Sequence, residues 1–532
     1  MTHLTRSLAL GCSVLALAAC GPEEIASPGT GGNITINNPP APAPSPTPSP
    51  TPTPTQALVT PASGCPTIAD ADPGLAEEGT ITGPTGTYRV CTLPARFDVS
   101  STLPYVPGVL YRMNGRVDVG TDGGPAPDAS DGLTDTNVTL TIQPGVIVYA
   151  SGASFLNVNR GNMINASGTA TRPIIFTSRD NVLGLNTDAS SGQWGGLVLS
   201  GRAQVTDCIA PAATPGTVNC ERQVEGAATP AIFGGATNAG SSGTLKYVQI
   251  RFSGFVLSGN NELQSLTTGG TQQDTTFENI MSFNSSDDGV EFFGGYVNMK
   301  RLIVVGAEDD SIDSDTGVKA NLQYVIAAHN TNTHDTIIEA DSDDLRDAVP
   351  RQNTRIANFT FIQGAPAAYG QAAIRIRGGT DYALINGILV SPQDECIRVQ
   401  HAETVRSAEP SLDDVGVPIF RSVVMQCGTQ AFIGSNGPTA PEVQEIFTTG
   451  STANSFSFTP TLTNLYVNGA NETGVAAADP KQLSSFFDTT DFIGAVRPTD
   501  TWYQGWTCNS VTANFGTGNT GACTTLPVYT EA

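Results

Sequence analysis

The chain has 532 residues, 57 of them Gly and 36 Pro, and only 14% are charged, against about 25% in an ordinary soluble domain. That balance argues against a helix-rich enzyme, which needs long runs of Ala, Leu, Glu and Lys, and the abundant Thr, Ser, Asn, Val and Ile favour strands and turns. With 49 acidic and 25 basic residues the net charge is −24, which argues against nucleic acid as a partner, since such binding rests on Lys and Arg neutralising phosphates.

Residues 1–19 read as an export signal: Arg6 is a short basic region, and Leu8 to Ala19 is apolar but too short to span a bilayer. The segment ends in Leu17-Ala18-Ala19-Cys20, which resembles the lipobox of bacterial lipoproteins. The resemblance implies cleavage before Cys20 and lipidation of its thiol, which anchors the chain to a membrane. Gly21 stands where that family places Asp for inner-membrane retention, so an outer-membrane, surface-exposed location is expected. Residues 20–56 then form a Pro/Thr/Ser-rich tether. Its stretch PPAPAPSPTPSPTPTPT is expected to be disordered or extended polyproline, reaching roughly 50 Å at about 3.1 Å per residue.

From residue 57 onward the cysteines fall in four local couples. Short loops favour pairing neighbours, Cys65–Cys91, Cys208–Cys220, Cys396–Cys427 and Cys508–Cys523, although eight cysteines leave many other connectivities open. No CxxC occurs and the histidines do not cluster with cysteines, so structural disulfides are expected rather than a zinc site.

A six-residue pattern, apolar-x-polar-apolar-x-apolar, recurs with drift along the middle of the chain. Its copies are LKYVQI from Leu245, FENIMS from Phe277, MKRLIV from Met299, LQYVIA from Leu322, IANFTF from Ile356, LINGIL from Leu384, IFRSVV from Ile419 and LTNLYV from Leu462. A companion strand follows several copies, as in Asp288-Gly289-Val290-Glu291-Phe292 and Asp310-Ser311-Ile312-Asp313-Ser314. Short period-two strands repeating every 20 to 30 residues or so are the pattern of a parallel β-solenoid. The order of TIQPGVIVYA, TRPIIFTS, GQWGGLVLSG, NELQSLTTGG, SSDDGVEFFGG and FIGAVRPTDTWYQGW resembles right-handed parallel β-helix proteins of the pectate-lyase-like superfamily, and more narrowly bacterial β-helix surface lipoproteins of no settled function. The expected architecture is an all-β, right-handed parallel β-helix over residues 136–480. Disulfide-stapled caps over 57–135 and 481–532 close it, with Trp502 and Trp506 packing the second cap or, alternatively, stacking on a ligand.

Chemistry is expected where rungs stack acidic residues. Asp287 and Asp288 recur 22 residues later as Asp309 and Asp310, so these four carboxylates are candidate ligands for calcium, with plain acidic turns as the alternative. An outward column is expected to run from Glu291 and Asp313 through Ile338 to Arg375 and Arg398, with Arg377 beside it. Such a face suits polymer binding, or else ordinary surface ion pairing. Superfamily enzymes use a lateral groove, so the resemblance makes a calcium-dependent polysaccharide lyase or glycoside hydrolase the catalytic alternative, with Asp287, Asp288, Asp310, Arg375 and Arg377 as its residues. The Gly-His-Gly turn of polygalacturonase-like enzymes is absent: His329, His334 and His401 lack that context. Gly516 to Gly521 matches GxGxxG, but no βαβ unit accompanies it. The first expectation is therefore a binding protein for a polysaccharide or an outer-membrane partner protein, without nucleic acid and with calcium as its candidate cofactor.

Overall fold

Most strands in this chain pair in parallel with the strand one rung later rather than folding back as hairpins. The computed structural model describes residues 58–529, apart from 225, 226, 228, 259, 260, 330–333, 365, 366 and 368–371. The signal segment 1–19, Cys20 and the tether 20–56 lie outside the described residues. Among the described residues, eleven strands form one parallel sheet and fifteen form a second, broader one. The chain is a right-handed parallel β-helix.

Each long strand of the broad sheet, from Gly243–Arg251 to Ile419–Cys427, turns a corner at one residue in the left-handed region. These residues stack as a column, Tyr247, Asn279, Arg301, Tyr324, Asn358, Asn386 and Ser422, with φ between 50° and 64°. Ladder pairing skips them and resumes on either side, so each rung presents three strand faces. Earlier rungs build the same corner from two strands: Met163–Ser167 and Ile174–Ser178 both pair with Gly243–Arg251.

The leading apolar residues of the repeat stack inward as Leu245, Phe277, Met299, Leu322, Ile356, Leu384 and Phe420, all of them buried. Two details differ from the sequence reading. The last rung is in register at Phe420, one residue after Ile419, and the copy at Leu462 is no rung: it forms a tight turn closed by a Thr463–Val467 bridge. Gly387 occupies an inward position where any Cβ would collide with the Phe359 ring, which stacks on Phe361 at 4.4 Å.

The boundaries also differ. Parallel pairing already joins Gly86–Thr92 to Val109–Arg112, so the first rungs lie inside 57–135, and the hairpin strand Ala76–Gly83 is what borders them. The last solenoid strand is Phe432–Ser435, not a strand near 480. The open rung there is covered by helix Ala440–Gly450, whose capping box joins Thr439 and Glu442. Its Phe447 packs 5.4 Å from the rings of both Phe420 and Phe432.

Beyond that helix the chain runs back as a strap along the outer face past the corner. Asn386 donates to Ala478 O, Asn358 to Phe492 O and Gln249 to Thr520 Oγ1, and Tyr529 reaches Tyr105 near the first rungs. Strands under the strap are apolar on both faces, which is why Met281, Ile303, Ile326 and Val424 are buried although they point outward. A strand buried on both sides reads as a continuous apolar run. Neighbouring cysteines are bonded, Cys65–Cys91, Cys208–Cys220, Cys396–Cys427 and Cys508–Cys523. The last closes the strap loop that contains Gly516 to Gly521.

Candidate functional site

The narrow sheet carries its outward side chains in columns, one residue per rung. Register aligns Thr267, Glu291, Asp313, Glu339, Arg375 and Arg398. The sequence reading placed Ile338 in this column; Ile338 instead points inward between Ile312 and Ile374 and is fully buried. Because strand side chains alternate, a slip of one residue exchanges the two faces. Placing Glu339 outward extends the acidic run by a rung and brings it against the arginines. Glu339 pairs with Arg375 at 3.0 Å and with Arg377 at 2.6 Å, and Arg377 also pairs with Asp341 at 2.8 Å. Arg375 donates its Nε–H to Gln400 at 2.9 Å.

The turn entering this sheet stacks a second set of carboxylates. Asp288 Oδ1 accepts the backbone N–H of Asp310 at 2.9 Å. Asp310 Oδ1 in turn accepts the N–H and hydroxyl of Thr336 at 2.6 and 2.7 Å. Asp287 accepts from Gln264 at 3.1 Å. Three triads bring carboxylate oxygens within 4.8 Å of one another: Asp287, Asp288 and Asp309; Asp288, Glu291 and Asp313; Asp309, Asp310 and Asp335. The four aspartates singled out from the sequence therefore do not form one closed set. They belong to a strip that also takes in Glu291, Asp313 and Asp335.

Burial is the main reason these carboxyls resist ionisation, and their neighbours add repulsion. Asp288, Asp310 and Asp313 are raised well above the usual carboxylate range: behind burial, Asp287 and Glu291 add to Asp288, and Glu339 adds to Asp310 and Asp313. Burial pushes Asp309 up to about 6, reinforced by Glu339, and Asp335 up to about 6, reinforced by Asp309. Asp315 is pushed up to about 7 by burial and by Asp341. Such a strip needs protons or a cation near neutral pH. Asp335 Oδ1 is buried with no hydrogen-bond donor among the described residues, as expected of an oxygen suited to a cation.

The histidines lie beside this strip and belong to none of its triads. His329 and His334 stack at 4.0 Å and are buried, with His329 Nε2 bonded to Ser311 Oγ at 2.9 Å. Burial pushes His329 well below its usual range, and His334 adds to the effect. His401 Nδ1 accepts the Gly378 N–H at 3.0 Å, a turn contact. Trp506 is fully buried under the strap, whereas Trp502 remains partly exposed.

Sequence reasoning missed Glu339, Asp335 and Asp341. The spacing from Asp313 to Glu339 is 26 residues rather than 22, and that insertion hid the register.

A family model described as a pectate-lyase-like β-helix domain matches residues 130–507. No curated protein and no solved structure matches the chain. Among the described residues, no helix is long and apolar enough to cross a membrane.

Proposed function

This chain belongs to the pectate-lyase-like β-helix family, and from that premise we propose that it is a lipid-anchored protein of the outer-membrane surface whose narrow-sheet face binds an extracellular polysaccharide. Family membership alone does not supply the ligand. The observation that carries the reading is the outward column from Glu291 through Asp313 and Glu339 to Arg375 and Arg398. A polymer lying along the axis meets one such side chain every 4.8 Å or so, the spacing of adjacent strands. Calcium is the cation we assign to Asp287, Asp288, Asp309 and Asp310, together with Glu291, Asp313 and Asp335. It takes six to eight oxygen ligands, roughly, at about 2.3–2.6 Å, and could bridge the strip to sugar oxygens. The other occupant this face suits is an outer-membrane partner protein.

A second reading, a calcium-dependent polysaccharide lyase, is favoured by Arg375 lying one rung beyond the acidic strip. Its guanidinium is held by Glu339 and Gln400, which weighs against a role as a free base. Glycoside hydrolysis fits less well. Carboxylates within 4.8 Å of one another have the spacing of a chelate, whereas glycosidase pairs flank the scissile bond about 5 to 9.5 Å apart.

The test is a panel of acidic polysaccharides mixed with the purified protein in calcium and in EDTA, scored for co-sedimentation and for new chain ends. Calcium-dependent binding without cleavage supports the first reading, and unsaturated products support the lyase. The absence of both sinks the polysaccharide assignment. Anchoring is tested separately. Cys20→Ser should leave an unlipidated precursor that no longer partitions into detergent, and a variant that partitions like the parent removes the lipid from the proposal.

A further inference from the structure

A second surface, on another face of the solenoid, holds a cleft of its own. Between the corner of the broad sheet and the strap lies a cleft of ≈ 370 Å³ lined by Arg301, Tyr324, Phe492, Arg497, Asp500 and Trp502, with two threonines at its rim. The volume lies near the lower end of small-molecule sites, about 300–1,000 Å³, which suits a few sugar rings rather than a long chain. Trp502 and Tyr324 stand 6.5 Å apart and tilted by 46°. The Trp502 ring is fixed by its Nε1–H donating to Ala495 O at 3.1 Å. Arg497 lies 4.6 Å from the Phe492 ring and pairs with Asp500 at 3.0 Å. Arg301 lies 5.8 Å from the Tyr324 ring and pairs with Glu278 at 2.5 Å.

Backbone geometry at the corner adds an independent observation. Asn is the side chain that tolerates the left-handed region, while bulky residues there are uncommon. The corner column uses Asn at 279, 358 and 386, Ser422, and Tyr247, whose ring packs on Trp506 of the strap at 6.0 Å. Arg301 and Tyr324, with φ of 64° and 63°, are the bulky corner residues on the two successive rungs that floor the cleft. On the rungs the strap covers, Asn358 and Asn386 satisfy strap carbonyls. Arg301 and Tyr324 give up that inexpensive solution and place a guanidinium and an aromatic face in an open cleft.

We propose that this cleft binds a neutral oligosaccharide. A pyranose ring has an apolar face of C–H groups that stacks on Trp502 or Tyr324, and its rim of hydroxyls needs donors and acceptors in one plane. The Arg497–Asp500 pair offers both, and Arg301 offers further donors. Each guanidinium has a carboxylate partner, Arg301 in Glu278, which Lys246 shares at 2.6 Å, and Arg497 in Asp500 with Asp491 at 3.8 Å, so the positive charge at the cleft is largely offset and a neutral ligand suits it. Its ligand differs from the acidic polymer assigned to the narrow sheet, and the cleft does not depend on the carboxylate strip.

Fluorescence titration tests this directly. Of the three tryptophans, Trp194 and Trp506 are fully buried, so a saturable change reports Trp502. The full-length protein is titrated with unbranched hexasaccharides of glucose, mannose and galactose, and with the galacturonate hexamer as the acidic control, in calcium and in EDTA. At least one neutral hexasaccharide should bind, equally well with and without calcium. Arg301→Asn and Tyr324→Asn install the residue the corner itself prefers, so both should keep the parent's melting temperature within a few degrees while weakening binding at least tenfold. Arg497→Gln, at a position about half exposed, should also weaken binding without a folding cost. The proposal is overturned if no neutral hexasaccharide saturates the signal at millimolar concentration, if the variants bind like the parent, or if binding requires calcium or is confined to galacturonate.

Discussion

Asp288 Oδ1 accepts the backbone N–H of Asp310, 2.9 Å away on the next rung. The carboxylate that seals one turn therefore brings its own charge toward the carboxylate that seals the next. Hydrogen bonding keeps the residues in place while electrostatics opposes them, by about 1 to 4 kcal/mol for two full charges at such distances, depending on the effective dielectric. Asn preserves the accepting oxygen and removes the charge. Asp288→Asn with Asp310→Asn should thus keep the turns and melt higher than the parent in EDTA. The parent should gain stability in millimolar calcium, by about 2.7 kcal/mol at a hundredfold excess over Kd, and the double variant should lose that gain. Magnesium should do less, because it gives up its waters reluctantly. Identical melting curves for the parent in calcium and EDTA would leave the strip as solvated acidic turns.

The raised carboxyls also set a pH dependence. Asp309 and Asp335 are lifted to about 6 and Asp315 to about 7, so the folded chain holds protons that the unfolded chain releases near pH 4. A group of this kind stabilises most in acid, and its contribution is lost as pH rises from about 4 through 6 to 7. Metal-free protein should therefore lose stability across that window relative to an Asp309→Asn, Asp335→Asn variant. Urea midpoints of the two proteins, measured in EDTA from pH 4.5 to 7.5, give the comparison. A parent that gains stability relative to the variant as pH rises contradicts the assignment.

The solenoid was legible in the sequence because rungs from Phe277 to Leu322 follow one another with almost no insertion, so equivalent residues fall 22 or 23 apart. That same regularity exposed the stacking of Asp287 and Asp288 over Asp309 and Asp310. It failed at Glu339, where the turn is four residues longer, so the 22-residue spacing no longer points to the outward residue and the sequence reading places Ile338 there instead. The strap was invisible for a different reason: Gln249 bonds Thr520 across 271 residues, and no local periodicity records such a contact. Its only trace was the apolar character of both faces of strands such as Tyr296–Val305, whose outward Ile303 and Val305 are buried.

Arg251 shows what holds the strap. Its guanidinium is fully buried and donates to Cys523 O and Thr525 O at 2.9 Å each, and to Thr520 Oγ1 at 3.0 Å. Burial pushes it down to about 9. Arg251→Leu removes a buried charge but strands those acceptors, at roughly 1–3 kcal/mol for each one left unsatisfied. The strap should loosen locally while the parallel rungs persist. Limited proteolysis should then cut beyond residue 500 or so faster than in the parent, with the β-sheet circular dichroism unchanged. Equal protease resistance would mean that the apolar contacts of Trp506 and Phe515 suffice alone.

Glu339 decides how much positive charge the narrow face offers to a polymer. Its carboxylate holds both Arg375 and Arg377, so the arginine end of the column is partly neutralised from within. Glu339→Gln keeps an accepting oxygen for the guanidiniums and removes one negative charge. A unit charge a few ångströms from a bound anion is worth on the order of 1 kcal/mol in a well-solvated setting, or about fivefold in affinity. Acidic polysaccharide should therefore bind about fivefold more tightly to the variant at low salt. The advantage should shrink toward none near molar salt, where the screening length falls to about 3 Å. Glu339 belongs to none of the three carboxylate triads, so the strip keeps its ligands, but behind burial its charge helps raise Asp309, Asp310 and Asp313. The calcium-induced rise in melting temperature should persist in smaller form, and its complete loss would mark damage to the cation strip. Affinity electrophoresis in gels containing the polymer measures the first effect, and melting in calcium and EDTA measures the second. Unchanged or weaker low-salt binding by a normally folded variant would show that the polymer does not lie along the column from Glu291 to Arg398.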